Sequence, residues 1–427
     1  LVAFFSDLGV LAVQFFSGVS VPDAIDTALI HYIRQSKSAL VDLCARLIQT
    51  PSVNGIHPER SLAEIVAAQA EHMGLHTHIV GDLPDRPNLI VSTAPDGATG
   101  LLLLGHLDTV PPGDETLWTY PPYSGHIAQG RIYGRGAIDT KGGMSAALIA
   151  LAALKAVPDA LHRGRAQLIC VPDEETGATG TLGIKYLHSR GLLTGLGAIY
   201  AYSGDQITLG HRGLVRYRLT CHGQSVHTGS EEWQNQTAGV NAVTGMARLL
   251  VALETLHLET SHAPFFERFR TVITPGTLIT GGTSINIVPD RCEALVDIRL
   301  TPEYHRADLD RLIDNLQAHV EQQRPGLRFE RDLLVDAPAA LCDPGAAVVA
   351  ALEESLQTVK GKSSERVVAG PANEGYLLIE RGIPTICGFG PTGENAHAVD
   401  EYVDIAGLVD AAAIFSLTAR RLSAYLD

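Results

Sequence analysis

Apolar residues recur at helical spacing between positions 24 and 50, at Ile25, Leu29, Ile33, Leu40, Leu43, Cys44 and Leu47, until Pro51 stops the pattern. A period near 3.6 residues with a proline at its end predicts one or two amphipathic helices. Leu62, Ile65, Val66, Ala70 and Met73 predict another. Short apolar runs then alternate with helical ones: strands at 88–92, 101–105, 168–171 and 198–202, helical stretches at 144–154 and 181–188. That order predicts an α/β layer with a mainly parallel, buried sheet.

The pattern changes after Gly213. Residues 214–220 alternate as a half-exposed strand, 240–256 are helical, 271–279 and 294–300 are strands, 309–320 a helix and 327–334 a strand. The order βαββαβ within about 120 residues predicts a split-βαβ, ferredoxin-like sandwich inserted in the larger domain. The α/β pattern resumes with a helix to about Val359, a strand at 385–388 and a closing amphipathic helix over 405–426. The expected boundaries are 24–212 and 335–427 for the two parts of a catalytic domain and 213–334 for the insertion, with 1–23 as an extension of uncertain nature.

Composition narrows the class. A chain of 427 residues suits more than one core. With 47 acidic against 32 basic side chains the formal charge is −15, which makes nucleic acid an unfavourable partner. Six cysteines without any CxxC pair read as reduced core thiols. The first 22 residues are apolar, but no Lys or Arg precedes Arg34 and Asp7 interrupts the run, so they fit neither a secretory leader nor a spanning helix. The expectation is a cytoplasmic protein with no membrane partner.

The chemistry gathers at predicted strand ends. The apolar run 101–104 ends in Gly105 and presents His106 and Asp108, two residues apart and therefore on one face of extended backbone. Open α/β sheets place their ligands at such carboxyl ends. Asp139 sits among glycines in Gly134-Arg-Gly-Ala-Ile-Asp-Thr-Lys-Gly-Gly143, where a helix-cap role is the plainer alternative. The spacing matches no phosphate-binding loop. Another apolar strand ends in Asp173, Glu174 and Glu175, three like charges that are costly to desolvate unless cations or protons compensate. Two adjacent glutamates can divide labour, one binding a metal and one taking a proton from water. His397 appears in Pro391-Thr-Gly-Glu-Asn-Ala-His-Ala-Val-Asp-Glu401.

In the order GHLDTV, GRGAIDTKGG, DEETG and ENAHAVDE, the chain resembles the M20 metallopeptidases, a group holding acetylornithine deacetylases, succinyl-diaminopimelate desuccinylases and glutamate-releasing carboxypeptidases. The resemblance runs from about Ser36 to the end. It implies two divalent ions, best suited to Zn²⁺ with Co²⁺ or Mn²⁺ as alternatives. His106 and His397 would each hold one ion, Asp139 would bridge them and Glu175 would be a terminal ligand. Glu174 would be the general base, and Asp108 would orient His106. The family's remaining acid lies in a Gly-Glu-Pro turn. Here the matching segment reads Tyr202-Ser-Gly-Asp-Gln206, so Asp205 is the candidate, a departure from the pattern.

In the insertion, Gly223-Gln-Ser-Val-His-Thr-Gly229 matches a GxxxH element whose His227 would polarise the scissile carbonyl, commonly from the other subunit of a homodimer. Asn286 and Arg299 would contact substrate oxygens, the guanidinium pairing a carboxylate. A turn at 370–376 offers Asn373 or Glu374 as a further lining residue. The implied activity is hydrolysis of an amide in an N-acyl amino acid or short peptide by deacetylase- or desuccinylase-like chemistry. An M20-type dipeptidase or carboxypeptidase, or a non-catalytic binding protein on the same fold, are the alternatives. Intact Glu174, Asp108 and His227 weigh against the last.

Overall fold

The computed structural model describes residues 22–426 except Thr176 and Ala178, so the reading of the apolar stretch before position 22 falls outside the described residues. The expected α/β layer is a six-stranded sheet in the order His76–Val80, Asn88–Ser92, Arg165–Val171, Thr99–His106, Gly197–Tyr200, Thr385–Ile386. Its last four strands pair in parallel, while the first two join antiparallel. The sheet is therefore mixed, with the parallel part at the strands whose ends carry the chemistry.

Alternation explains why both faces are covered. Leu101, Leu103, Leu168 and Cys170 enter one core with the helices Ala24–Gln35, Lys37–Ile48, Gly142–Ala156, Ala347–Lys360 and Ile405–Ser423. Leu102, Leu104, Ile169 and Val171 enter a second core with the short helices Ile184–Ser189 and Gly375–Ile379. Such strands read as continuous apolar runs because neither side meets water. The stretch 137–156 is long and apolar enough to cross a membrane, but it is buried up to Leu154 and includes the central core helix.

The inserted region forms an antiparallel sheet in the order Val272–Gly281, Arg291–Leu300, Gly213–His222, Arg328–Ala337, with Ala242–Glu254 and Arg306–Gln323 closing its own core. This is the arrangement expected of a split-βαβ unit. Two small sheets escaped the sequence reading. One joins Ile207–His211, Ala340–Leu341 and Arg366–Ala369 where the insertion meets the main sheet, and the other joins His126–Ala128, Arg131–Tyr133, Gly393–Glu394 and Tyr402–Asp404. Strands of two to five residues are too short for periodicity to mark.

Candidate metal centre

Three adjacent parallel strands deliver the site. His106 closes Thr99–His106, Glu174 and Glu175 come after Arg165–Val171, and Tyr202 comes after Gly197–Tyr200. Asp139 arrives from the segment leading into helix Gly142–Ala156. Glycine permits that approach: a Cβ on Gly143 would lie 1.7 Å from the Ala201 carbonyl oxygen, and one on Gly105 would meet the Met144 side chain at 2.5 Å. Asp139 is not the helix cap that its position allowed, since Lys141 holds that place.

The Asp139 carboxylate is the hub. Its Oδ1 lies 2.8 Å from His106 Nε2, and its Oδ2 lies 3.0 Å from His397 Nε2. Tyr202 donates its hydroxyl to the same Oδ2 at 2.7 Å. Glu175 Oε1 is 3.2 Å from His397 Nε2 but makes no directed hydrogen bond. His397 adopts a left-handed backbone (φ 63°), a conformation that costs a non-glycine residue and that persists where surrounding contacts fix it.

Two acids organise this hub without entering it. The Asp108 carboxylate accepts from the backbone N–H groups of Glu174 (3.3 Å) and Glu175 (3.0 Å) and from Asn54, tying two strand ends together. His106 Nδ1 is nearer the Asp108 carbonyl oxygen (2.8 Å) than its carboxylate (3.5 Å), so the orienting contact expected of the side chain is made mainly by the backbone. Glu401 was not singled out by the sequence reading. It accepts from the N–H groups of Gly136, Ile138 and Asp139 and pairs with the buried Arg135. Its place at the end of the ENAHAVDE motif was the available signal.

Burial sets the proton affinities. Desolvation, reinforced by the charges of Glu175, Asp139 and Asp108, pushes the Glu174 carboxyl up to about 8 against the pull of His106. Burial also works against charge on Asp139, but His106, His397 and Tyr202 outweigh it and hold that carboxyl well below the usual range. The His397 imidazole is drawn up to about 10 by Asp139 and Glu175. A buried cluster of this kind needs internal positive charge, and a cation held by neutral imidazoles supplies it as well as imidazolium does. His106, Asp139 and Glu175 bring donor atoms within 4.8 Å of one another, and His397 adjoins them, so the residues present fit a divalent ion.

Asp205 is the correction. Its carboxylate is taken by Lys360 and Lys362 at 3.3 and 3.1 Å, and it stands outside the cluster. The loop after Tyr200 turns it away from the strand-end face, and the residue that meets Asp139 from this loop is Tyr202. A strand-end tyrosine just past an apolar run was legible as a position, but only the fold shows where its hydroxyl lands.

A cavity of about 730 Å³ opens from Glu174, Glu175, Tyr202 and His397 to Arg212, Arg216, Arg299 and Asn373. Arg216 and Arg299 share Asp297, at 2.9 and 2.7 Å. Arg212 has no acid partner among the described residues; its Nε donates to the Gly370 carbonyl oxygen and its guanidinium lies over Phe269. Asn373 lines the cleft while holding the backbone of Cys387 and Gly375, whereas Glu374 is buried behind it with neither oxygen bonded. His227 and Asn286 face each other at 3.4 Å on the exposed insertion and do not line this cavity.

Residues 102–421 match the model of peptidase family M20/M25/M40, a span that holds every residue of the cluster. The chain belongs to peptidase family M20/M25/M40. It is a metal-dependent hydrolase, and its relatives agree. A succinyl-diaminopimelate desuccinylase from Rhizorhabdus wittichii is 28% identical over 90% of this chain and 98% of its own, and one from a Methylobacterium species is 30% identical over 90% and 95%. Among solved structures, the Saccharomyces cerevisiae dipeptidase Dug1p superposes with a TM-score of 0.75 at 16% identity, covering 94% of this chain and 99% of its own. The Sulfolobus solfataricus metallo-carboxypeptidase Sso-CP2 does so at 0.70 and 18%, covering 94% and 100%. The M20 fold thus accounts for both the mixed catalytic sheet and the inserted one.

Proposed function

We propose that this chain is an N-acyl-amino-acid deacylase whose preferred acyl group carries a carboxylate of its own, as succinyl does. The observation that carries the reading is the cleft. It joins the metal cluster to three guanidinium groups, and among the described residues Asp297 is the one carboxylate that pairs with any of them. A substrate with carboxylates on both sides of its amide answers that surplus, since guanidinium pairs carboxylates in a fork. The substrate in the curated relatives' name, succinyl-diaminopimelate, is of this kind.

Bound at the cluster, a divalent cation lowers the pKa of water and polarises a carbonyl. Zn²⁺ suits imidazole and carboxylate donors, with Co²⁺ or Mn²⁺ as alternatives. Glu174 takes the proton of the attacking water and returns it to the leaving amine. Its raised proton affinity suits both halves of that task. Arg212 holds a substrate carboxylate; Arg299, shared with Asp297, positions the other end, and Asn373 closes the cleft floor.

His227 and Asn286 act from the insertion. Its edge strand Val272–Gly281 exposes Leu278 and Ile279, and Ile285 beside Asn286 is fully exposed. An unpaired apolar edge invites a partner, and a second copy of this chain docking there carries its own His227 towards a cleft. The active species is therefore a homodimer. Six buried free thiols accord with a reducing, cytoplasmic setting.

The test is turnover on matched panels of N-succinyl amino acids, N-acetyl amino acids and dipeptides. Succinyl substrates are expected to lead in kcat/KM. A dipeptide in first place would replace the deacylase reading by the peptidase one, and no turnover on any panel would favour a binding protein.

A further inference from the structure

The guanidinium groups of the cleft are held in two different ways. Arg216 and Arg299 are oriented by the Asp297 carboxylate, which also answers part of their charge. Arg212 is oriented without an acid among the described residues. Its Nε donates to the Gly370 carbonyl oxygen at 3.3 Å, and its guanidinium carbon lies 4.8 Å from the centre of the Phe269 ring. An aromatic face attracts a cation through its quadrupole but carries no net charge, so it fixes a guanidinium while leaving the positive charge for a ligand. Gly370 leaves this contact open: a Cβ there would lie 3.3 Å from Arg212 Nη2 and 4.0 Å from the Phe269 ring.

The ring comes from the insertion. It sits in the loop 260–270, between helix Ala242–Glu254 and strand Val272–Gly281. The neck of the loop is closed by the pairing of Thr260 with Arg270 and by the Ser261 N–H, which donates to the Phe269 carbonyl oxygen at 2.8 Å. Glu303 fastens it to the insertion, one oxygen accepting from Ser261 Oγ and from the N–H groups of His262 and Ala263. Two contacts fasten it to the main body. Phe265 packs against the larger core with a left-handed backbone (φ 70°), a conformation that surrounding contacts must hold in a bulky residue. Arg268 donates to the Val368 carbonyl oxygen at 2.6 Å, and its own guanidinium lies 4.8 Å from the Phe269 ring. The position of the ring is thus fixed from both sides. Neither Phe269 nor Arg268 lines the cavity, so the ring reaches a substrate only through Arg212.

We infer that Phe269 is the positioning residue of Arg212, and that the cleft's grip on a substrate carboxylate is set by this loop of the insertion. The inference rests on the carboxylate-binding role proposed for Arg212 and adds what holds that guanidinium in place.

The experiment is a double-mutant cycle on the full chain, read as KM and kcat for an N-succinyl amino acid, with Phe269→Leu, Arg212→Ala and the two combined. Phe269→Leu is expected to raise KM by about 2–30-fold, the range of a cation–ring contact, with kcat changed far less. In the Arg212→Ala background the same substitution should leave KM where it was. Replacing Phe269 by pentafluorophenylalanine, which keeps the ring's shape and removes its negative face, should reproduce the effect of leucine. A Phe269→Leu effect that persists in full without Arg212, or a fluorinated chain that behaves as wild type, would overturn the positioning role while leaving Arg212 as the carboxylate's partner. An unchanged KM in Arg212→Ala alone would overturn both. If Phe269→Leu does not fold, the fluorinated chain, measured with and without Arg212, decides the question.

Discussion

The main sheet and the inserted sheet both gather charged side chains, and they treat them in opposite ways. On the inserted sheet Asp297 is shared by Arg216 and Arg299, and Arg331 meets Asp310 and Asp314, so acids and bases cancel locally. At the strand ends of the main sheet the half-buried Glu174, and near it the buried Glu374 that precedes helix Gly375–Ile379, stand among other acids, and desolvation raises both their proton affinities. Glu175 leaves a buried oxygen without a directed bond. In the inserted sheet these charges have their protein partners in place. The strand ends of the main sheet are unfinished, and the missing charge is what a cation and a substrate bring. Buried charge left uncompensated is the physical mark of a working site.

The sharpest way to break this contrast is Glu174→Gln. Turnover should fall by about 10²–10⁴-fold, the range typical of general acid–base catalysis, while the urea midpoint stays level or rises, because a buried group that is costly to ionise has gone. A drop in stability with turnover retained would place Glu174 among the structural charges. Glu401 tests the opposite case, a buried acid in the same neighbourhood whose partners are complete. Glu401→Ala strands Arg135 and three backbone N–H groups, and breaking such a buried pair costs about 3–5 kcal/mol; equilibrium unfolding measures it, and an unchanged midpoint would show that the Asp139 segment holds itself.

Arg212→Ala removes the cleft cation that has no acid partner among the described residues. A charged hydrogen bond contributes roughly 1.5–3 kcal/mol, so KM for an N-succinyl substrate should rise by about 10–100-fold with kcat changed far less. An equal effect from Asp297→Asn would mean that the shared pair, and not Arg212, governs the carboxylate. The smallest effect concerns His211, which burial holds down at about 4 against the pull of the Arg212 and Asn373 backbone, with Nδ1 bonded to the Arg212 carbonyl oxygen. Because its folded affinity lies below that of the unfolded chain, the unfolded state binds more protons between about pH 4 and 6.5. Stability is fully present above pH 6.5 and declines below it, by on the order of 1–2 kcal/mol from pH 7 to 5. Thermal melts of wild type and His211→Phe across that range should diverge on the acid side.

The strand ends were legible because each combined an apolar run with polar residues that a buried strand has no other reason to carry. His106, Asp139, Glu175 and His397 converge as those runs implied. The antiparallel entry of Asn88–Ser92 was not legible, since a strand buried on both faces reads alike in either direction. Asp205 was misplaced for a related reason: residue type suggested a ligand, but the path of an irregular loop fixes which side chain faces the sheet. Arg212 went unremarked in Gly210-His-Arg-Gly213 because a lone arginine is indistinguishable from a surface one until its partners are known.

The insertion begins and ends on facing residues, Leu214 and Ala337 being cross-strand partners in adjacent strands. A chain leaving the main body there returns to the same point, so the long intervening segment leaves the two halves of the catalytic layer side by side. The order of synthesis is affected all the same. His397, the Thr385–Ile386 strand and the helix that packs against Gly142–Ala156 are made after the insertion. On the ribosome, the first half of the catalytic layer must therefore wait through the making of the whole insertion before its core can close and Asp139 can meet His397.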